Sequence, residues 1–242
     1  MDSFVILPAV ENESLSDYAY RVLLYNILHL NLKPNAPINE EEIATALGMS
    51  RTPVHEAIAH LYEIKLVDIY RRKMTKVSRI NLMQLNEGLL ARTAIEDRVV
   101  PMLIGRVSPE IREEMRDMLE KQRQCLARSS SLGEFYVYDR DFHNLFYKAL
   151  GRESIGRIIR NLDLESMRIY NLVDYDGSSF NALQGDSYAE HVMLFEVVTG
   201  KRPLDFDIHA FLYNHIVRFR SNLQPYVDKY RDYFSFTGTD AG

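Results

Sequence analysis

Strand-like alternation is confined to one stretch of this chain, residues 66–80; elsewhere the apolar side chains recur with the 3.6-residue period of a helix. Such a chain cannot close a large sheet or a barrel. It must bury helical stripes against one another, with at most a small hairpin attached. Ala19, Val22, Leu23, Ile27 and Leu30 predict a helix over 15–30, ended by Lys33-Pro34-Asn35-Ala36-Pro37. A short helix follows over 39–47, with Asn39 at its N-cap, Glu42 at the capping-box position and Gly48 as the closing turn glycine. Ser50 or Thr52 caps a third helix, which has Pro53 in its first turn and Val54, Ala57, Ile58 and Leu61 on one face. Two short strands, 66–70 and 75–80, then flank the basic turn Arg71-Arg72-Lys73-Met74.

After Asn81 the periodicity predicts helices over about 82–104, 109–127, 132–150, 154–172, 187–198 and 204–233. The expected fold is therefore mainly α. An N-terminal winged helix-turn-helix with a small β-hairpin wing occupies 1–80, and an all-α antiparallel helical bundle occupies 81–242. With 46% apolar residues, 8 Pro and 11 Gly, disorder is excluded as the main character. The one cysteine, Cys125, excludes an intramolecular disulfide framework and a thiolate zinc module. No apolar run is long enough to cross a bilayer, and the N-terminus lacks the basic region of a signal peptide, so the expected location is cytoplasmic, with no membrane partner.

The net charge of −5 argues against a polyanionic partner only until it is divided by region. Residues 51–80 carry seven basic side chains against three acidic ones. This local cationic segment coincides with the third helix and the hairpin, where a polyanion would meet it. The turn Leu47-Gly48-Met49-Ser50-Arg51-Thr52 joins two short helices, and in a helix-turn-helix the start of the second helix faces the base edges of the major groove. Arg51 and Thr52 stand there, and an arginine can donate two hydrogen bonds to guanine. Arg71, Arg72 and Lys73 at the hairpin tip would lie against phosphates.

The run from Asn39 to Ile58, with Leu47-Gly48-Met49-Ser50-Arg51-Thr52-Pro53-Val54-His55-Glu56-Ala57 at its centre, resembles the winged helix of the GntR family of bacterial transcription regulators. That family reads E-x-x-L-A-x-x-L-G-V-S-R-T-P-V-R-E-A-L over the same stretch, and the resemblance spans about 15–80. It implies DNA contacts by Arg51, Thr52, the residue at His55 and the wing tip, and binding of a palindromic double-stranded operator as a homodimer. Two departures stand out: His55 replaces the family's usual arginine, and the wing lacks the family's glycine.

In the helical part, Asp139 and His143 are four residues apart and share a helix face, while His191 and His215 lie on two other predicted helices. One carboxylate and three imidazoles suit a divalent metal such as Zn, Ni, Mn or Fe. The stretch Asp139-Arg140-Asp141-Phe142-His143, followed by Ala149-Leu150-Gly151-Arg152, resembles the FCD ligand-binding domain of the FadR subgroup within the GntR family. That resemblance implies metal ligation by Asp139, His143, His191 and His215, with a small organic acid as effector: a sugar acid, a dicarboxylate or a hydroxy acid. His209 is a rival to His215; being six residues apart, about 240° round a helix, the two cannot face one site. Arg92 resembles the family arginine that faces the pocket, or forms an ordinary i,i+4 pair with Glu96.

The expected function is a ligand-responsive transcriptional regulator, a repressor by the commoner family role, and not an enzyme. Two alternatives stay open at this stage. A metal-dependent enzyme could activate water at the same four residues, although the chain has no HExxH spacing. Alternatively the metal is structural, or is itself the signal.

Overall fold

The computed structural model describes residues 3–70, 74–128, 130–177 and 181–236, without the side chains of 181–183. The chain divides into two compact units. One comprises residues up to Met83 together with those from Tyr226 onward, and the other is Gln84–Pro225.

In the first unit, α1 (Leu15–Leu28) starts at Ser14, whose hydroxyl accepts the Asp17 N–H. After the two-residue strand β1 (Pro37–Ile38), α2 (Glu40–Leu47) is capped by the Asn39 side chain, which accepts from Glu41 and Glu42 N–H. The Glu42 carboxylate returns to the Asn39 amide at 2.8 Å. Gly48 ends α2 at φ 65°, a left-handed conformation that costs glycine least. Next, α3 (Arg51–Glu63) has Ser50 in the N-cap position, with no hydrogen bond from its side chain to the helix. Val54, Ile58 and Leu61 of α3 join Leu23 and Ile27 of α1 in a fully enclosed core.

Strands β2 (Val67–Tyr70) and β3 (Met74–Val77) pair antiparallel, from Val67↔Val77 to Tyr70↔Met74. β1 adds to the other edge of β3, giving the order β1-β3-β2. The expected contacts Arg71, Arg72 and Lys73 lie outside the described residues.

Strand β4 (Ile80–Asn81) pairs in parallel with a strand from the far end of the chain. There the sequence predicts one helix over 204–233 and the structure breaks it. α10 (Ile208–Val217) gives way to a 3₁₀ turn, Arg218–Asn222, then to α11 (Gln224–Lys229) and β5 (Phe234–Ser235). Pro225 has no N–H to give to the preceding turn and sits in the first turn of α11, where that loss costs least, so it favours a new helix start there over a continuous one. Ile80 pairs with Phe234, which is 2% exposed. The segment from Tyr226 is thus part of the first unit, whereas the sequence assigns all of 81–242 to the helical domain.

The second unit is built from α4 (Leu82–Leu103), whose first two residues belong to the first unit, then α5 (Pro109–Arg128), α6 (Leu132–Ala149), α7 (Glu153–Leu162), α8 (Leu164–Tyr175), α9 (Asn181–Val198) and α10. Val100, Met115, Phe142, Phe146, Leu194 and Leu212 form the centre of its core. The predicted helix 154–172 divides at Asp163, a buried residue whose carboxylate accepts the Tyr136 hydroxyl. In α9 the helix begins six residues before its apolar periodicity does, because Gln184-Gly185-Asp186 masks the pattern. Among the described residues no helix is long and apolar enough to cross a membrane.

Gly88 marks a close approach of α4 to α7: a Cβ there would lie 2.3 Å from the Leu162 carbonyl oxygen. Alanine in an open helix position stabilises by about 1 kcal/mol over glycine. At this position the sign should reverse, and Gly88→Ala is expected to lose about 1–3 kcal/mol in urea unfolding.

Candidate nucleic-acid interface and metal centre

The two sets of candidate residues lie in different units. In the first, Arg51 and Thr52 are the first two residues of α3 and both are exposed, while Pro53 and Val54 turn inward. The helix thus offers polar side chains at its free N-terminal end and anchors itself through the opposite face. His55 is also exposed, with Nδ1 3.3 Å from Glu40 Oε1 of α2.

In the second unit, α6 carries Asp139 and His143 one turn apart, α9 carries His191 at its middle, and α10 carries His215. All four are buried, and their ligand atoms lie within 4.8 Å of one another. The three Nε2 atoms form a triangle with edges of 3.0–3.1 Å, and Asp139 Oδ2 is 3.3 Å from His191 Nε2. His209 is elsewhere: exposed on α10, it contacts Asp97 of α4.

Each imidazole is oriented through its other nitrogen. Nδ1 of His143 lies 2.6 Å from Glu96 Oε2, Nδ1 of His215 2.7 Å from Glu190 Oε2, and Nδ1 of His191 2.7 Å from Gln122 Oε1. The Gln122 amide nitrogen already donates to the Tyr138 carbonyl, so its oxygen is the acceptor. With Nδ1–H donated outward in all three rings, three bare Nε2 lone pairs face one another inside the protein. No proton is left to bridge them, and a bound cation would relieve the repulsion. The triangle edge also fits, since bonds of roughly 2.1 Å to adjacent octahedral positions put nitrogen atoms about 3.0 Å apart. The residues present therefore fit a divalent ion.

Electrostatics agree with that donor set. Burial, then the Arg92 charge, holds the His143 pKa well below the ordinary histidine range, and burial lowers that of His215. Unfolded histidine takes up its proton near pH 6.5, whereas His143 and His215 refuse it in the fold, so the unfolded chain binds more protons below that pH. The metal-free protein is therefore expected to lose stability as pH falls below about 6.5, read as a Tm that declines from pH 7.5 to 5.5 after chelation.

Arg92 is engaged on two sides. Its Nε donates to Glu96 Oε1 at 2.9 Å, the predicted i,i+4 pair, and its Nη2 lies 3.4 Å from Asp139 Oδ1. It also lines a cavity of about 40 Å³, bounded further by Asp139, His215, Tyr136, Tyr170 and Arg218. Such a cavity has room for a few water molecules.

Three partners of the histidines escape the sequence reading: Glu96, Gln122 and Glu190. Glu96 is fully buried and joins Arg92, Tyr147 and His143. Glu190 bridges His215 and Arg218. The available signals were a carboxylate four residues after Arg92 and one directly before His191. Outer partners of this kind tune affinity by about 10–100-fold, and Glu190→Gln is expected to weaken metal binding by that factor in a competition titration with a chromophoric chelator.

A winged helix-turn-helix followed by an all-α domain with an enclosed Asp/His cluster is the architecture of a two-domain bacterial regulator. The chain belongs to the GntR family: residues 15–77 match the bacterial regulatory proteins of the gntR family, and residues 87–204 match the FCD domain. The FCD match includes Asp139, His143 and His191, and His215 lies beyond its end. The HTH-type transcriptional repressor RspR of Escherichia coli is 27% identical over 62% of this chain, and the match spans 65% of that relative's length. The probable D-xylose utilization operon transcriptional repressor of Paenarthrobacter nicotinovorans is also 27% identical, over 64% of this chain and 67% of its own. The solved structure of E. coli McbR/YncC shares the fold, with TM-score 0.68 and 20% identity over 90% of this chain and 99% of that one. These domains and relatives are those of transcription regulators, not enzymes.

Proposed function

We propose that this protein is a DNA-binding repressor that releases or tightens its hold on an operator when a small organic acid enters the cavity of the helical unit. Asp139, His143, His191 and His215 hold a divalent ion, and Arg92 faces the acid from α4. The observation that carries the reading is the convergence of three unprotonated Nε2 atoms and a carboxylate beside a cavity with a guanidinium on its wall. A bound ion would supply a positive centre to which a carboxylate oxygen can coordinate. Arg92 Nη2, already beside Asp139, is placed to donate to that carboxylate.

Arg51, Thr52 and His55 of each protomer read one half of a palindromic operator, with the wing residues Arg71, Arg72 and Lys73 against phosphates. The acid acts on DNA binding only if it prefers one of two arrangements of the dimer.

The test is binding of the metal-loaded protein to a DNA fragment from upstream of its own gene, with and without added carboxylates, repeated after chelation. The reading expects sequence-specific binding that acids shift only when metal is present. Binding that no acid changes, with or without metal, would leave a regulator whose metal is structural.

A further inference from the structure

While α4 turns Arg92 and Glu96 inward, its other side keeps an exposed stripe. Leu90 is 72% exposed, more than any other large apolar side chain among the described residues. Ala94, one turn on, is exposed as well. At about 100° per residue, Asn86, Glu87, Leu90, Ala94, Asp97 and Arg98 fall within about 120° of the helix circumference. Leu90 and Ala94 occupy the middle of the stripe, Glu87 and Arg98 one edge, and Asn86 and Asp97 the other.

Helix α7 adds to this apolar surface. Leu162, which lies against Gly88 of α4, and Ile158, one turn earlier, are both exposed. The charged Arg157 and Arg160 stand about 100° or more round α7 from either.

Charge gives the stripe a direction. Neither Glu87 nor Arg98 has an ion pair among the described residues, whereas Asp97 contacts His209 of α10. Two such stripes, laid antiparallel about a two-fold axis at the level of residue 92, match each other. In a two-fold interface every contact is made twice, and in this arrangement like edges meet. Leu90 faces the partner's Ala94. Glu87 stands within one residue's rise, about 1.5 Å, of the level of the partner's Arg98. A parallel pair would instead bring Arg98 to the partner's Asp97, which already serves His209, and would set Glu87 against an asparagine. The antiparallel arrangement is the one that gives both charges an opposite partner.

We infer that two copies of this chain pair through this face, α4 against α4 in antiparallel sense, with Ile158 and Leu162 of α7 at its side. The inference rests on the homodimer reading above and says which surface makes the dimer. One helix face is small beside the roughly 800 Å² that each partner buries in a stable interface, so α7 is needed to complete it. Arg92 stands on the opposite side of α4 at the level of the two-fold axis. An acid that moves Arg92 therefore acts on the dimer seam through the thickness of a single helix.

Sedimentation velocity of the full-length, metal-loaded protein over a concentration series tests the pairing. Leu90→Glu is expected to raise the dimer dissociation constant at least about 100-fold, because it places a charge at the centre of the seam. Its circular dichroism and metal content should match those of the wild type, since residue 90 faces solvent in the single copy. Glu87→Arg and Arg98→Glu should each weaken the dimer about 10-fold, and the double variant should return to within about threefold of the wild type. Dimers undiminished in all three single variants would overturn the inference and leave the homodimer reading to another face. Weakening by Leu90→Glu without effects of the charge reversals, or without recovery in the double variant, would overturn the antiparallel pairing. A wild type that stays monomeric over the whole series and on operator DNA would sink the homodimer reading, and the inference with it.

Discussion

Replacing His143 by alanine is expected to lower metal affinity by more than about 100-fold, so that protein purified with near-stoichiometric metal comes out nearly empty. His143 stands at the centre of the cluster: its Nε2 lies 3.0–3.1 Å from both other imidazole nitrogens, and its Nδ1 is fixed by Glu96. Losing it removes one donor and leaves the Glu96 carboxylate, already crowded by Arg92 and Tyr147, without its strongest neutral partner. His209→Ala is the matched control, since it deletes an imidazole from the same domain at an exposed position outside the cluster. Elemental analysis of both variants decides the matter. Full metal content in His143→Ala would sink the proposed centre. Thermal denaturation gives a second readout, because an ion that binds only the folded state raises Tm and the variant should lose that increment.

Arg51→Ala is expected to weaken operator binding by about 10–100-fold per half-site, and to do so without loss of fold. The helix itself has no use for this residue. A cation at the first position of α3 opposes the positive end of the helix dipole, at a cost of a few tenths to about 1 kcal/mol, and the first turn contains no acidic side chain to offset it. Alanine should therefore leave Tm unchanged or raise it slightly. Fluorescence anisotropy over a salt series separates two roles for the guanidinium. If it donates to a base, its removal flattens discrimination between operator and random DNA. If it meets a phosphate, its removal weakens both alike and reduces the salt slope by about one. Unaltered affinity and unaltered slope would remove α3 from the interface.

Where side chains had one local job, the sequence could be read directly. Asn39, Glu42 and Gly48 bound α2 as their chemistry requires, and the four-residue spacing of Asp139 and His143 put both on one face of α6. The choice between His209 and His215 needed tertiary structure, because both sit on α10 and only the packing of that helix says which face turns inward. Glu96, Gln122 and Glu190 were hidden for a related reason: each lies on a different helix from the histidine it orients. The C-terminal end misled because apolar spacing continues past Pro225, while the backbone does not.

The parallel pairing of β4 with β5 has a bearing on how this protein is made. Ile80 leaves the ribosome early, yet its partner Phe234 follows only after the whole of Gln84–Pro225. The first unit cannot finish folding when its own helices are complete; it must wait through the synthesis of the second. A pairing of such long sequence separation closes slowly. An excised N-terminal fragment ending at Met83 would lack β5 and leave the buried side of Ile80 uncovered. Nascent chains stalled before residue 234 should therefore be more readily cleaved near 80 than the released protein, and a fragment meant to fold alone will need the terminal segment supplied.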